Sequence, residues 1–147
     1  METGRHGDKD SSVAHSSFHT RNGGQVDFLE GLASLANRVE GCAAVVILGT
    51  DGITIERYVG DMDSSLDIDL IATELTTLHR RSIHTASDTD VGDLREMLVA
   101  TDKITFLLRP ITSEYFFLLA LNPGGNVGRA RFELRKAQLS IEAEFAI

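Results

Sequence analysis

Two stretches of the chain are apolar at almost every position, while the segments around them alternate between apolar and polar residues. Residues 42–48 read CAAVVIL and residues 115–121 read YFFLLAL. A strand that is apolar on both faces needs cover on both sides, so it belongs in the middle of a sheet. We therefore predict two central strands, one in each half of the chain.

The first central strand leads into a predicted hairpin. Asp51 and Gly52 supply the turn, because glycine adopts the left-handed conformation that a short loop with a bulge requires. The strand after the turn alternates, which is typical of a strand near an edge of a sheet. We expect one face to carry Ile53, Ile55 and Val59 and the other face to carry Thr54, Glu56 and Tyr58.

Apolar residues at spacings of three and four predict three amphipathic helices. The first spans 25–39 and ends at Gly41, the second spans 66–84, and the third begins near Asn126. Three strands joined by short turns lie between the second and third helices, and short connections make such strands antiparallel neighbours. These strands are expected at 94–101, 104–109 and 115–121.

These elements predict a three-layer α/β/α domain of the α/β (α+β) class. Pairing the two central strands joins the hairpin to the three-stranded meander and gives a five-stranded antiparallel sheet of order 2-1-5-4-3. One helix is expected on one face of the sheet and two on the other. The domain spans 25–147, and residues 1–24 are expected to form a flexible tail because they carry few apolar side chains.

In this order the strand at 94–101 lies at an edge, although it contains three apolar residues in a row. Natural edge strands are blunted by charge, bulges or cover, because an open edge pairs with other chains. We predict that this strand pairs with the same strand of a second copy across a two-fold axis. The alternative is a monomer whose edge is protected by Arg95 and Glu96. The strand residues expected at the interface are Leu94, Met97, Leu98 and Val99.

Composition narrows the possible partners. The chain has 22 acidic and 14 basic residues, and its formal net charge of −8 argues against binding to nucleic acid or to an anionic membrane. No apolar run approaches the roughly 18 residues of a membrane span, and the N-terminus lacks an apolar signal segment. We expect a cytoplasmic protein without membrane insertion, with the single cysteine, Cys42, as a small core residue.

No motif predicts catalysis, a metal site or a cofactor. Local signatures of nucleophilic enzymes are absent, and His79 and His84 lie five positions apart on a helix, so they do not converge on one metal. We interpret both histidines as solvated residues near a helix end. The glycine-rich stretch at 123–128 could hold an anion on its backbone N–H groups, but without the ending of a phosphate loop a plain strand-to-helix connection is favoured.

The order of elements resembles that of the Roadblock/light-chain-seven family. The matching residues are VEGCAAVVILGTDGITI, DIDLIATELTTL and GDLREMLVATDKITFLLRPITSEYFFLLALNPGGNVGRARFELRKA, and they extend over nearly everything except the tail. The resemblance implies a dimer joined through the strand at 94–101 and the helix at 66–84, which adds Leu75 and Leu78 to the expected interface. It also implies an action on a small Ras-like GTPase, as a regulator or as a scaffold.

Two groups of arginines are candidates for partner binding. Arg80 and Arg81 could supply an arginine to a GTPase site, although we favour compensation of the helix dipole at a C-terminus. The last helix is basic in its first half and acidic in its second, which opposes its dipole. A charge order that opposes the helix dipole without any local benefit can mark a binding surface. The alternative is that these charges are simply solvated on an exposed helix face. The candidates there are Arg129, Arg131 and Arg135.

We therefore expect a non-enzymatic homodimeric regulator or adaptor of a small Ras-like GTPase. If it alters GTP hydrolysis, we expect it to position the GTPase's own switch residues. Two alternatives remain open: a scaffold or light-chain subunit that dimerises and tethers, and a small-molecule sensor on a similar frame. Ligand-dependent melting would favour the sensor, since ligands stabilise the state that binds them.

Overall fold

A computed structural model of the protein describes Phe18, Thr20–Arg21 and residues 25–144. Two short strands, β1 (Thr20–Arg21) and β2 (Gln25–Val26), pair with each other ahead of the main domain. The helices are α1 (Phe28–Asn37), α2 (Ile68–Asp88) and α3 (Val127–Glu144). The long strands are β3 (Cys42–Gly49), β4 (Thr54–Val59), β5 (Met97–Ala100), β6 (Thr105–Pro110) and β7 (Tyr115–Leu121).

The long strands form one antiparallel sheet of order β4-β3-β7-β6-β5. This is the predicted order 2-1-5-4-3, and the predicted α/β/α layering is confirmed with it. β3 and β7 are the central pair, with Gly49 opposite Tyr115 at one end and Cys42 opposite Leu121 at the other. Nearly every side chain of these two strands is buried, which explains why the sequence is apolar at consecutive positions there.

The two faces of the sheet are covered unequally. On one side, called the two-helix face, α1 and α3 pack against the sheet. Its strand residues are Val45, Ile47, Leu107, Phe117, Leu119 and Leu121. On the other side, called the one-helix face, α2 packs alone. Its strand residues are Ala43, Ala44, Val46, Leu48, Phe106, Leu108, Phe116, Leu118 and Ala120. The predicted division of one helix and two helices is therefore confirmed.

A β-bulge changes the predicted faces of β4. Ile47 stands opposite Glu56 and Leu48 stands opposite Thr54, so Ile55 between them has no partner on β3. A bulge of this kind adds one residue to a strand and interrupts its alternation. Ile55 consequently borders the two-helix face, whereas Val59 stands opposite Ala44 on the one-helix face. The prediction that Ile53, Ile55 and Val59 share one face is wrong.

α2 is longer than predicted. It begins after Asp67, whose carboxylate accepts hydrogen bonds from the backbone N–H groups of Asp69 and Leu70. It ends at Asp88 instead of residue 84, because residues 81–88 contain no glycine or proline that would stop a helix. The chain leaves the helical conformation at Asp90, whose φ is +57°. Arg80 therefore lies two turns before the end of the helix.

Two connections cross closely at one end of the sheet. Gly41 precedes β3 with a φ of +82°, and a Cβ atom on it would lie 2.6 Å from the Cα atom of Gly125. Real Cβ atoms do not approach another backbone so closely, and the left-handed φ also favours glycine. The backbone N–H of Asn122 donates to the carbonyl of Gly41, and that of Asn126 donates to the carbonyl of Glu40. The connection before β3 is thus bonded to the connection before α3.

Phe18 belongs to the core although it lies in the segment that was predicted as tail. It is fully buried, and its ring centroid is 6.2 Å from that of Phe28 and 5.9 Å from that of Phe117. The hydroxyl of Ser140 in α3 donates to its carbonyl oxygen at 2.8 Å. Apart from Phe18 and Thr20–Arg21, residues 1–24 lie outside the described residues, so a flexible tail stays a prediction for them.

Candidate functional site

β5 is an open edge of the sheet, and it is shorter than predicted. It covers four residues, because the register that pairs Met97 with Leu108 would bring Arg95 opposite Pro110, which has no N–H to donate. Met97 and Val99 turn inward and pack partly buried against the core of the one-helix face. Leu98 turns to the other face and remains 40% exposed. Among the described strands, β5 pairs with β6 alone.

The side of α2 next to β5 is also exposed and apolar. The Ser82 hydroxyl lies 3.0 Å from the sulfur of Met97, which places this side of the helix over β5. Leu78 lies one turn before Ser82 on the same side, and its side chain is 43% exposed. Leu78 and Leu98 are thus exposed at the same border of the domain. Together with Met97 and Val99 they are called the edge surface below.

The other two predicted interface residues take different positions. Leu75 is buried in the core between α2 and the sheet, so its side chain is occupied within one chain. Leu94 is half-buried in the connection before β5, where it borders a shallow pocket with Arg95 and Pro110. The exposed members of the predicted interface are therefore Leu78 and Leu98.

The arginines of α2 do not lie at its C-terminus. Neither falls in the last turn of the helix, so the interpretation that they compensate the dipole is wrong. The Arg80 guanidinium donates to the carbonyl of Thr50 at 2.6 Å and thereby ties α2 to the hairpin loop. Arg81 is exposed and has no ion-pair partner among the described residues. Arg81 is thus the more available of the two.

Two of the α3 arginines have acidic partners inside the protein. Arg131 places its Nε 2.8 and 2.9 Å from the two carboxylate oxygens of Glu96, next to β5. Arg129 lies 2.9 Å from a carboxylate oxygen of Glu133, one turn further along α3. These pairs offset the unfavourable charge order that the sequence shows relative to the helix dipole. No ion pair involves Arg135 among the described residues.

The five candidate arginines do not form one site. Arg80 and Arg81 belong to the one-helix face, while Arg129, Arg131 and Arg135 belong to the two-helix face, with the sheet between the two groups. A partner that contacts both groups at once would have to reach around an edge of the sheet.

His79 is buried, which corrects the interpretation that it is solvated. Its ring stacks on Phe116 with centroids 4.1 Å apart and an angle of 23° between the planes. It lies in the apolar stripe of α2, four residues after Leu75, and this spacing is the signal that the sequence offered. Burial lowers the pKa of His79 to about 4, since the charged form would lose its hydration. The imidazole is therefore neutral at pH 7.

Glu133 is a second buried ionisable group that was not predicted from the sequence. Its side chain is fully buried on α3, and the Nε of Arg38 on the neighbouring connection donates to it at 2.9 Å. Lys136 lies 3.5 Å from the same oxygen. With Arg129, three cations therefore surround one carboxylate. A buried carboxylate requires such partners, because an unpaired charge is costly away from water.

An apolar cavity of about 480 Å³ lies on the two-helix face, between the start of α1 and the end of α3. Two carboxylates, those of Glu114 and Glu142, are among its polar lining groups. Its apolar lining consists of Phe28, Ile47, Ile55, Ile111, Tyr115 and Ile141. A cavity of this size and character is suited to an apolar ligand.

The described residues contain neither a metal-binding cluster nor a membrane-spanning helix. In the described ranges, no group of three or more His, Cys, Asp and Glu side chains could hold a metal ion. None of the described helices combines the length and apolar character that crossing a bilayer requires. Cys42 is partly buried, and burial raises the pKa of its thiol to about 12, so the thiolate does not form at neutral pH.

The fold defined by this sheet order and these three helices is that of a Roadblock/LC7 domain. No family model matches the chain, and no curated protein matches it. A solved Roadblock/LC7 domain from Streptomyces avermitilis is similar, with a TM-score of 0.67 and 19% identity over 79% of this chain and 95% of that chain. The gliding protein MglB from Thermus thermophilus is also similar, with a TM-score of 0.68 and 10% identity over 88% of this chain and 96% of that chain.

A third structure establishes the family. The crystal structure of MglC from Myxococcus xanthus shares 31% sequence identity, with a TM-score of 0.55, over 77% of this chain and 94% of that chain. The chain therefore belongs to the Roadblock/LC7 family, a family of regulators and adaptors, as its sequence predicts. MglC is a relative of this protein, while the other two structures show the shared fold.

Proposed function

We propose that this protein is a non-enzymatic homodimeric regulator or adaptor of a small Ras-like GTPase. The observation that carries the proposal is the edge surface, where the open strand β5 and the exposed Leu78 of α2 face solvent together. Pairing of β5 with its copy would extend the sheet across a two-fold axis and cover Leu78 and Leu98. Family membership supports the same role.

The dimer is tested by placing a charge on the edge surface. We expect the wild-type protein to have about twice the 16.0 kDa mass of one chain in light scattering, and Leu98→Asp to reduce it to that of one chain. The matched control is Ile53→Asp at the opposite side of the sheet, where Ile53 is 62% exposed, and it should stay dimeric. A Leu98→Asp protein that keeps the wild-type mass would contradict the proposed interface.

The action on a GTPase is tested by single-turnover GTP hydrolysis. A candidate Ras-like GTPase from the same cell is loaded with GTP, and hydrolysis is followed with and without this protein. A changed rate supports a regulator that positions the GTPase's own switch residues, and binding without a changed rate supports an adaptor or scaffold. Absence of both binding and rate change would overturn the proposal.

Arg81 provides a sharper version of this experiment. If the protein supplies an arginine to the GTPase, Arg81→Ala should abolish most of the rate change. Arg80→Ala should instead act mainly on the attachment of α2 to the hairpin loop, because it removes the hydrogen bond to the carbonyl of Thr50. If the protein only positions switch residues, Arg81→Ala should retain the stimulation.

We also propose a cytoplasmic location, since Ras-like GTPases act there.

The apolar cavity supports a second candidate function, that of a small-molecule sensor. Its volume of about 480 Å³ and its lining of aliphatic and aromatic side chains suit an apolar ligand. A screen by thermal melting tests this function, because a ligand raises the melting temperature of the state that binds it. Ile111→Trp should fill the cavity and abolish any such shift, while Ile83→Trp on exposed α2 should not.

A further inference from the structure

Two large apolar side chains on α3 face solvent in line with each other. Phe132 is 55% exposed and Leu139 is 56% exposed. They are seven residues apart, so they lie on the same side of the helix, about 10 Å apart along its axis. Single exposed apolar residues need no explanation, whereas two at positions i and i+7 have the spacing of the apolar anchors by which helices dock.

Cations surround the aromatic ring. The guanidinium carbon of Arg129 lies 5.5 Å from the centroid of Phe132, and the ammonium nitrogen of Lys136 lies 5.3 Å from it. Both distances are within the range of cation–π attraction. Arg135, exposed between the two apolar residues in sequence, has no ion-pair partner among the described residues.

The charge of this surface is unbalanced. Among the described residues, Glu133 is the one carboxylate that pairs with both Arg129 and Lys136, and Arg38 donates to it as well. Arg129 and Lys136 share this one negative charge, so one positive charge is left over, and Arg135 adds a second, in a chain whose net charge is −8. Because Glu133 is fully buried, it also fixes the positions of these cations before any partner arrives.

We propose that this surface, formed by Phe132, Arg135, Lys136 and Leu139, binds an acidic amphipathic helix of another protein. Two apolar residues seven positions apart on that helix would pack on Phe132 and Leu139, and flanking carboxylates would pair with Arg135 and the surplus charge. The surface lies on the opposite side of the sheet from α2. The proposal does not rest on the action on a GTPase.

The experiment uses fluorescence anisotropy with the full chain. The probe is a labelled helical peptide rich in Glu and Ala that carries two leucines seven positions apart. We expect saturable binding that weakens at high salt, and a loss of affinity of about tenfold or more in Phe132→Ala and in Arg135→Glu. The matched controls lie on α2: Leu70→Ala, at a site that is 58% exposed, and Arg81→Glu should bind as wild type does. Arg135→Lys should retain most of the affinity because it keeps the charge.

Several outcomes would overturn the proposal. One is no saturable binding of the acidic peptide, and another is equal binding of a peptide with Lys in place of Glu. Wild-type affinity in Phe132→Ala would show that the ring is not an anchor, since an exposed side chain can be removed without unfolding the domain, which circular dichroism verifies. Assemblies larger than a dimer that Phe132→Ala dissolves would show that a second copy of this chain is the occupant.

Discussion

The two faces of the sheet are built differently. On the two-helix face, α1 buries four residues and all of them are apolar or glycine. On the one-helix face, α2 is twice as long but buries only five residues, of which Thr76 and His79 are polar. α2 also leaves Leu70, Leu78 and Ile83 exposed. For its length, α2 thus buries fewer and more polar side chains than α1, which indicates that α1 contributes more stability per residue than α2.

The largest expected effect comes from truncating one core leucine on each face. Leu35 in α1 is fully buried, and Leu75 in α2 is 8% exposed. We expect Leu35→Ala to reduce the free energy of unfolding by about 3–4 kcal/mol and Leu75→Ala by about 2 kcal/mol, since the cavity left on the one-helix face is more easily relaxed. Urea denaturation in the Leu98→Asp background removes the contribution of dimerisation. An equal or larger loss for Leu75→Ala would show that α2 is anchored as firmly as α1.

The second prediction concerns acid and the one-helix face. The pKa of His79 is about 4 in the folded protein and 6.5 for an ordinary histidine, so the unfolded state takes up the proton first. The neutral imidazole stabilises the fold fully above pH 6.5, and this contribution is lost as the pH falls from 6.5 towards 4, by roughly 2–3 kcal/mol. Urea denaturation at several pH values measures the loss.

Two variants distinguish the contribution of His79 to the pH dependence from that of carboxylates, which are protonated in a similar pH range. His79→Leu keeps an apolar side chain on Phe116 and should remove this part of the pH dependence. His84→Gln should leave the dependence as it is in the wild type, because the side chain of His84 is 80% exposed. If the wild type and His79→Leu lose stability in parallel between pH 6.5 and 4, the imidazole is not the cause.

The smallest expected effect is on the two-helix face, at its ion cluster. Glu133→Gln removes the charge that Arg38, Arg129 and Lys136 share but keeps the shape of the side chain. We expect a loss of about 1–2 kcal/mol, because the three cations are partly exposed and can recover hydration. Glu142→Gln, at an exposed position of the same helix, serves as the control and should change the free energy of unfolding by less than about 0.5 kcal/mol. If Glu133→Gln leaves the free energy of unfolding unchanged, the cluster is not stabilising.

The order of the strands could be predicted because burial on both faces leaves an uninterrupted apolar sequence. Residues 115–121 and 42–48 show this, and the glycine and proline turns between strands leave few other orders. The bulge at Ile55 could not be predicted in the same way. An extra residue in a strand leaves its composition unchanged and is decided by the pairing of β4 with β3.

The candidate site was predicted less completely than the fold. The open edge followed from the strand order, but its length depends on Pro110, which lies on a different strand. His79 and Glu133 both occupy apolar stripes of their helices, so their burial could have been read from the spacing of their neighbours. The pairing of Glu133 with Arg38 could not be predicted in this way, since Arg38 is 95 residues away in the chain.

The close crossing of Gly41 and Gly125 has a mechanical consequence. The connection that leaves α1 and the connection that enters α3 touch at backbone distance and are joined by hydrogen bonds. Neither helix can slide along the sheet at that end without displacing the other. A force applied to α3 by a bound protein would therefore be transmitted through this junction to the start of β3, in the middle of the sheet. A flexible loop at this place would not transmit it.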